Sequence, residues 1–501
     1  MLFTSAIFFC VYLPIVLVGY YLLGRRDAMW GAIWLFLASL AFYGYWMPEF
    51  TTLLLGSIIW NFWIGKKIGG ARQVGGVPAK TVAARNWFTL GVAVDLGLLA
   101  YFKYAGWFVA NLNALTGQDW STGRIILPIG ISFFTFTQIA FLSDAYLKGT
   151  REVRFAHFGL FVTYFPHLIA GPVIHHAQMM PQFRDAASYR FVPGHVAAGL
   201  FIFAIGLFKK VVLADAISPY ADAVFDAAQA GERPDLAEAW IGALAYTFQL
   251  YFDFSGYSDM AIGLSWMLNI RLPFNFDSPY KSLSISDFWR RWHMTLSAFL
   301  RDYLYVALGG NRKGPQRRYV NLLITMVLGG LWHGANWTFV FWGALHGGYL
   351  VINHAFRALV SRHLPRLQAN SIFRLGAWLL TFLCVVAGWV FFRAADFSSA
   401  IRVLDGMFIP VFAAEAAANI HPILWNQGLD VVRALQFLTV LGAIAFLCPN
   451  SNLVGEHALH AAGRHSLVPP LLSGISLVAC LLLVLVNETR ATASAFIYFN
   501  F

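Results

Sequence analysis

The residue of this chain best suited to acid–base chemistry is a histidine held among small and aromatic neighbours, in Gly329-Gly330-Leu331-Trp332-His333-Gly334-Ala335-Asn336-Trp337. It lies within an apolar stretch, residues 320–352, bounded by Arg317 and Arg318 on one side and Arg357 on the other. An ionisable group in such surroundings is costly to bury and is a functional candidate by default. Imidazole titrates nearest neutral pH of the side chains, so it can take a proton from a hydroxyl and give it back. Trp332, Asn336 and Trp337 supply indole and amide groups able to hold a substrate or steady an oxyanion. The alternative for His333 is a structural one, a histidine that hydrogen-bonds two helices together.

A second candidate, His293, ends the run Trp289-Arg290-Arg291-Trp292-His293. It either faces a polar cavity or is a solvated histidine at the membrane surface. The segment Tyr251–Asp259 places Asp253 and Asp259, with hydroxyls that include Tyr257, inside an apolar run. Such groups must find partners, so they line a polar cavity or a helix interface. Asp253 and Tyr257, with Arg290 and Arg291, complete the candidate substrate-binding set. His457, His460 and His465 have metal-like spacing, but no acid or cysteine completes a set, which favours a solvated polar loop. Cys10, Cys384, Cys448 and Cys480 show no paired spacing and read as small buried hydrophobes. A Walker phosphate loop, a Gly-x-Ser-x-Gly elbow and a His-Glu-x-x-His motif are all missing from the sequence, which removes the commonest hydrolase and nucleotide-driven chemistries.

The elements that must position these residues belong to a membrane. Of 501 residues, 59% are hydrophobic and 12% charged, about half the charge of a soluble chain, and mean hydropathy is +0.62. A hydrocarbon core roughly 30 Å thick takes about 20 helical residues. Apolar runs approaching that length recur at Leu2–Leu23, Ala28–Trp46, Phe50–Ile64, Trp87–Tyr104, Ile125–Tyr146, Val196–Leu213, Ala237–Leu268, Tyr319–Leu331, Trp337–Ile352, Leu375–Phe392, Val431–Phe446 and Leu467–Val486. The expectation is an all-α polytopic protein with roughly eleven to thirteen membrane helices. The net charge of +11 falls in short clusters between apolar runs, as expected beside anionic lipid rather than nucleic acid.

Arg25/Arg26, the cluster from Lys66 to Arg85, and Lys148–Arg154 alternate with loops poor in Lys and Arg, which puts the N-terminus outside. The acidic segment Asp215–Glu238 reads as an outward-facing loop. Lys209 and Lys210 fit this only if they snorkel or line the protein interior. The basic region Arg271–Arg318 faces the cytoplasm. Within it, Ser284 and Asp287 have capping-box spacing, and Ile285, Phe288, Trp289, Trp292, Leu296, Phe299, Leu300 and Tyr303 form one helical stripe, the pattern of a helix lying in the interface. Basic flanks at both ends of 320–352 make its two arms, of about thirteen and sixteen apolar residues, a re-entrant pair with His333 at the turn. The chain shows no internal repeat and reads as one membrane-embedded domain, 1–501, with a core at 251–352.

The residues Asp287–Gly314 and Gly329–Gly343 together resemble the central signature of the membrane-bound O-acyltransferase family, in particular its bacterial branch typified by the alginate O-acetyltransferase membrane subunit. The likeness extends through Tyr251–Gly263, Leu272–Ser282 and Ala170–Phe183 to the ending Phe496–Phe501, where Asn500 stands in place of the branch's usual Gln. The resemblance implies helices arranged around a central tunnel, with His333 catalytic and His293 a second site residue. It further implies a cytoplasmic thioester donor such as acetyl-CoA, no tightly bound cofactor, and an exported polysaccharide such as alginate as acceptor. A bacterial inner-membrane location and a periplasmic acetyltransferase partner follow from the same likeness. Two alternatives remain: acyl or D-alanyl transfer from an acyl-carrier protein to an envelope polymer, and a polytopic transporter.

Overall fold

A computed structural model describes residues 1–74, 77–78, 80–169, 171–364, 369–409, 421–464, 466–490 and 496–497. Apart from a two-residue antiparallel pairing of Gln73–Val74 with Val77–Pro78, the described secondary structure is helical. The main helices are α1 (Leu13–Gly24), α2 (Ala28–Trp46), α3 (Pro48–Ala71), α4 (Val82–Leu99), α5 (Ile131–Lys148), α6 (Pro193–Phe208), α7 (Asp215–Ala230), α8 (Leu236–Met267), α9 (Ile285–Arg291), α10 (Met294–Phe299), α11 (Gly314–His333), α12 (Trp337–His363), α13 (Ser371–Arg393), α14 (Val431–Leu447), α15 (Ser451–Arg464) and α16 (Val468–Glu488).

All twelve apolar runs fall mainly on helix, although Leu2–Leu23 loses its first four residues and Ile125–Tyr146 its first six, the latter ahead of α5. Among the described residues, five helical segments are long and apolar enough to cross a bilayer: Ala28–Trp46, Val82–Thr116, Pro193–Ala230, Ser371–Arg393 and Val468–Glu488. The pair α14 and α15, bent by 60°, makes a sixth if counted as one span. On α16, Leu471, Ile475, Val478, Leu482 and Leu485 are all more than half exposed. That stripe is a lipid-facing surface, since water would not tolerate it.

The chain divides into two compact units with interleaved segments: Met1–Leu207, Tyr257–Pro273 and Val454–Ala495 form one, and Phe208–Gly256, Phe274–Leu453 and Phe496–Phe501 the other. In the first, α1 packs on α2, and α3, α4 and α5 pack on one another. A buried polar network ties these last three together. Asn61 Nδ2 donates to Asp95 Oδ1 at 2.8 Å and to Gln138 Oε1 at 2.7 Å, and Gln138 Nε2 donates to Ser57 Oγ at 3.1 Å. Polar groups in an apolar bundle need one another, so the network fixes which faces meet.

The second unit corrects some expectations and meets others. The acidic segment Asp215–Glu238 is mostly helix: it is α7 followed by a short turn into α8. Lys210 is buried in the helical run joining α6 to α7, its ammonium 2.7 Å from Asp215 and 2.9 Å from Asp253. The interfacial stripe is not one helix. It breaks at His293, whose φ of 44° is left-handed, where the irregular chain at residues 275–277 takes the backbone over: Met294 N–H bonds to the Asn275 carbonyl and Asp277 N–H to the Arg291 carbonyl, both at 2.9 Å. Ser284 still caps α9, accepting from Asp287 N–H at 3.2 Å.

The two arms around His333 are also longer than their apolar parts suggest. α11 has 20 residues and α12 has 27, because polar residues at Gly314–Arg318 and Asn353–His363 continue each helix. His457 and His460 lie on α15 rather than in a loop, and His465 is outside the described residues. Of the four cysteines only Cys480 is buried.

Candidate active site

His333 is the last residue of α11, at the tip of the hairpin formed with α12. The hairpin closes because glycine removes the side chains at its crossing points. A Cβ on Gly330 would lie 2.2 Å from the Phe339 carbonyl oxygen, and one on Gly343 would lie 2.3 Å from that of Met326. Only hydrogen fits there, so the helices touch backbone to backbone. Asn336 starts α12: its Oδ1 accepts from Thr338 N–H at 3.1 Å while its Nδ2 donates to the Ala395 carbonyl at 2.7 Å.

The imidazole of His333 is 4% exposed at residue level and sits in an aromatic frame. Its ring centroid is 4.9 Å from Trp332, 5.2 Å from Phe392 and 5.3 Å from Trp342, the last at 90°. Edge-to-face contacts of this kind fix the plane of the ring. The residue also lines a cavity of about 360 Å³, together with Trp342, Met326, Leu300, Arg290 and Arg318 among others. Its arginines lie toward solvent, whereas His333 and Trp342 are buried, so the cavity joins a cationic entrance to a buried base. Arg301 also lines it but is paired with Asp302 at 2.7 Å. Among the described residues no carboxylate pairs with Arg290 or Arg318.

His293 is 1% exposed, which corrects the solvated-surface alternative. Its Nδ1 lies 3.1 Å from Asn275 Oδ1, an oxygen that already accepts from Thr295 N–H at 3.3 Å and Thr295 Oγ1 at 2.8 Å. An oxygen used as an acceptor twice over requires Nδ1 to carry the hydrogen, which leaves Nε2 as the basic nitrogen. α9 and α10, of seven and six residues, are far too short to span a bilayer, and burial between them pushes the His293 pKa down to about 3. The ring is therefore neutral. It contacts Trp332 at 6.4 Å between centroids, so Trp332 touches both histidines, yet His293 does not line the cavity that holds His333.

The other expected residues are dispersed. Arg290 lines the cavity, whereas Arg291 is held by Asp287 at 3.1 Å and Asp277 at 3.5 Å. Trp337 is 52% exposed, and Asn336 is committed to the cap of α12. Asp253 bonds Lys210 and accepts from the Ile497 N–H at 2.8 Å. Tyr257 belongs to the other unit, where it stacks on Phe3 at 4.9 Å. Three residues missed in the sequence line or frame the cavity: Trp342, His346 and His354. Trp342 Nε1 and His346 Nε2 are buried without a hydrogen-bond partner among the described residues, and Trp289 Nε1 donates to His346 Nδ1 at 3.3 Å. Their signal was present, since 342, 346, 350 and 354 repeat every four residues along one face of α12.

The family model described as MBOAT, membrane-bound O-acyltransferase family, matches residues 148–388, which include both histidines. The peptidoglycan O-acetyltransferase of Helicobacter pylori is 42% identical over 434 residues, covering 81% of this chain and 80% of that protein. The chain belongs to the membrane-bound O-acyltransferase family. The probable alginate O-acetylase AlgI of Pseudomonas putida is 46% identical over 413 residues, 81% of this chain and 80% of its own. The teichoic acid D-alanyltransferase of Streptococcus thermophilus is more distant, 28% identical over 247 residues, 47% of this chain and 59% of that one. This membrane-bound O-acyltransferase is thus a multi-pass membrane enzyme whose nearer relatives carry acetyl-transfer names.

Proposed function

We propose that this enzyme moves an acetyl group from a cytoplasmic thioester, of which acetyl-CoA is the simplest, toward a glycan outside the inner membrane. The observation that carries the reading is the cavity that begins among unpaired guanidiniums and ends at the buried His333. Arg290 and Arg318 suit the phosphates of a thioester carrier, and the apolar walls of Leu296, Leu300 and Met326 suit its uncharged arm.

In the chemical step His333 takes the proton of an acceptor hydroxyl as that oxygen attacks the thioester carbonyl. The new C–O bond forms, the C–S bond breaks, and the imidazolium returns its proton to the departing thiolate. The cavity-facing indole of Trp342 is a candidate donor to the developing oxyanion. His293, neutral and with Nε2 as acceptor, is a positioning group in contact with Trp332. Alginate and peptidoglycan are the acceptors in the names of the nearer relatives, and either would need a periplasmic partner to carry the acetyl group onward if the hydroxyl that first receives it is not the polymer's own. Transfer of D-alanine from a carrier protein draws support only from the 28% relative.

The test follows labelled acetyl from CoA in reconstituted vesicles. His333→Ala is expected to lower the rate by about 100-fold or more, while its melting temperature and elution volume match the parent. Full transfer by a folded His333→Ala protein would remove the base from the mechanism.

A further inference from the structure

A second cavity, about 530 Å³, opens beside the first between α9, the C-terminal half of α12 and the N-terminal half of α13. Three guanidiniums line it, Arg290, Arg357 and Arg374, with an apolar wall that includes Phe356, Phe373 and Leu380. Among the described residues no carboxylate pairs with any of the three arginines. The one acid in the lining, Asp287, is engaged by Arg291 at 3.1 Å. For Arg357 and Arg374 the sequence supplies no nearby counter-charge either, since it contains no Asp or Glu between Asp302 and Asp396.

Leu380, in the lining, is 65% exposed, the same two helices, α12 and α13, expose Ile352, Leu359 and Leu375 at 59% or more, and α13 is among the helices long and apolar enough to cross a bilayer. Basic residues at the junction of α12 and α13, Arg357, Arg362 and Arg374, place it at the cytoplasmic leaflet. Three unpaired cations beside a lipid-facing apolar wall complement a molecule that is anionic at one end and hydrocarbon at the other. A basic pocket between membrane helices on the cytoplasmic side is the usual receptor for such a headgroup.

We infer that this cavity binds an anionic phospholipid of the cytoplasmic leaflet, its phosphate between Arg357, Arg374 and Arg290 and its acyl chains along Phe356, Phe373 and Leu380. A soluble polyphosphate would use the arginines but not the wall. Arg290 lines both cavities, so lipid occupancy and donor binding share one side chain. The inference does not depend on which thioester the enzyme uses.

The full-length protein, purified in neutral detergent, is titrated with dioleoyl phosphatidylglycerol or dioleoyl phosphatidylethanolamine and read by native mass spectrometry. The parent should retain phosphatidylglycerol in preference to phosphatidylethanolamine. Arg357→Gln combined with Arg374→Gln should cut phosphatidylglycerol occupancy about tenfold or more, with phosphatidylethanolamine unchanged. If that pair fails to fold, Leu380→Trp fills the cavity without altering charge and should displace the anionic lipid equally. Equal retention of the two lipids by the parent, or equal phosphatidylglycerol retention by the parent and a folded variant, would overturn the inference. So would loss of CoA binding in the double variant with lipid binding intact, which would assign these arginines to the donor.

Discussion

The second unit handles charge in two opposite ways. Around Lys210 every charge is cancelled at short range: Asp215 and Asp253 lie within 3 Å of the ammonium, and the Ile497 N–H takes the other Asp253 oxygen. All three side chains are 5% exposed or less. Around α9 the reverse holds, for Arg290, Arg318, Arg357 and Arg374 have no carboxylate among the described residues and flank open space. A closed cluster is a structural device, since desolvated ions persist only when mutually paired. An open array of cations is a receptor that an anion completes. The adjacent residues Arg290 and Arg291 show how local the distinction is, one lining both cavities and its neighbour held by two aspartates.

Breaking the closed cluster should have the largest effect. Lys210→Met strands two buried carboxylates and is expected to cost about 3–5 kcal/mol, seen as loss of folded, extractable protein. Adding Asp215→Asn and Asp253→Asn to it should recover much of that loss. If Lys210→Met alone were as stable as the parent, the cluster would not be the structural lock described. Breaking the open array should act on ligands instead of stability. Arg290→Gln is expected to raise the KM for the thioester about tenfold with kcat within about threefold, as when binding is lost uniformly from ground and transition states. An unchanged KM would separate Arg290 from the donor.

The smallest effect sharpens the comparison with a closed cluster in the first unit. Burial would raise the pKa of Glu152, but His176, the Arg154 N–H and the Arg184 guanidinium outweigh it and hold the group at about 2. A carboxylate depressed in the folded state stabilises the protein above its ordinary value of 4.5, and this contribution is lost as pH falls from there toward 2. Arg184→Gln removes part of that stabilisation. The gap in melting temperature between parent and variant at pH 6 should therefore shrink by pH 3, whereas a constant gap would mean that Arg184 acts through packing alone.

Much of this was legible in the chain. Hydropathy marked every helix named for it, and His333 stood out because a lone imidazole among glycines and tryptophans in an apolar run needs a reason. The N-cap at Ser284 appeared where its spacing put it, as one bond from the Asp287 N–H, while the Asp287 carboxylate turned to Arg291 instead of completing the box. The sequence did not show that the aromatic stripe breaks at His293, because the break is made by the backbone of residues 275–277, distant along the chain. Asp253 reads as a substrate group until Lys210 is seen beside it, 43 positions away in the chain but 2.9 Å away in space. Trp342, His346 and His354 carry a four-residue repeat that is legible in the chain, though it is masked by the apolar arm in which it lies.

What the sequence determined by itself was the solvent and the secondary structure: apolar content sums along the chain, and a helix needs only its own residues to satisfy its backbone in lipid. The tertiary structure alone decided which charges are cancelled and which are left open, and which of the two histidines lines a cavity. Pairing is a property of distance in space, and long-range folding sets distances that no local spacing records.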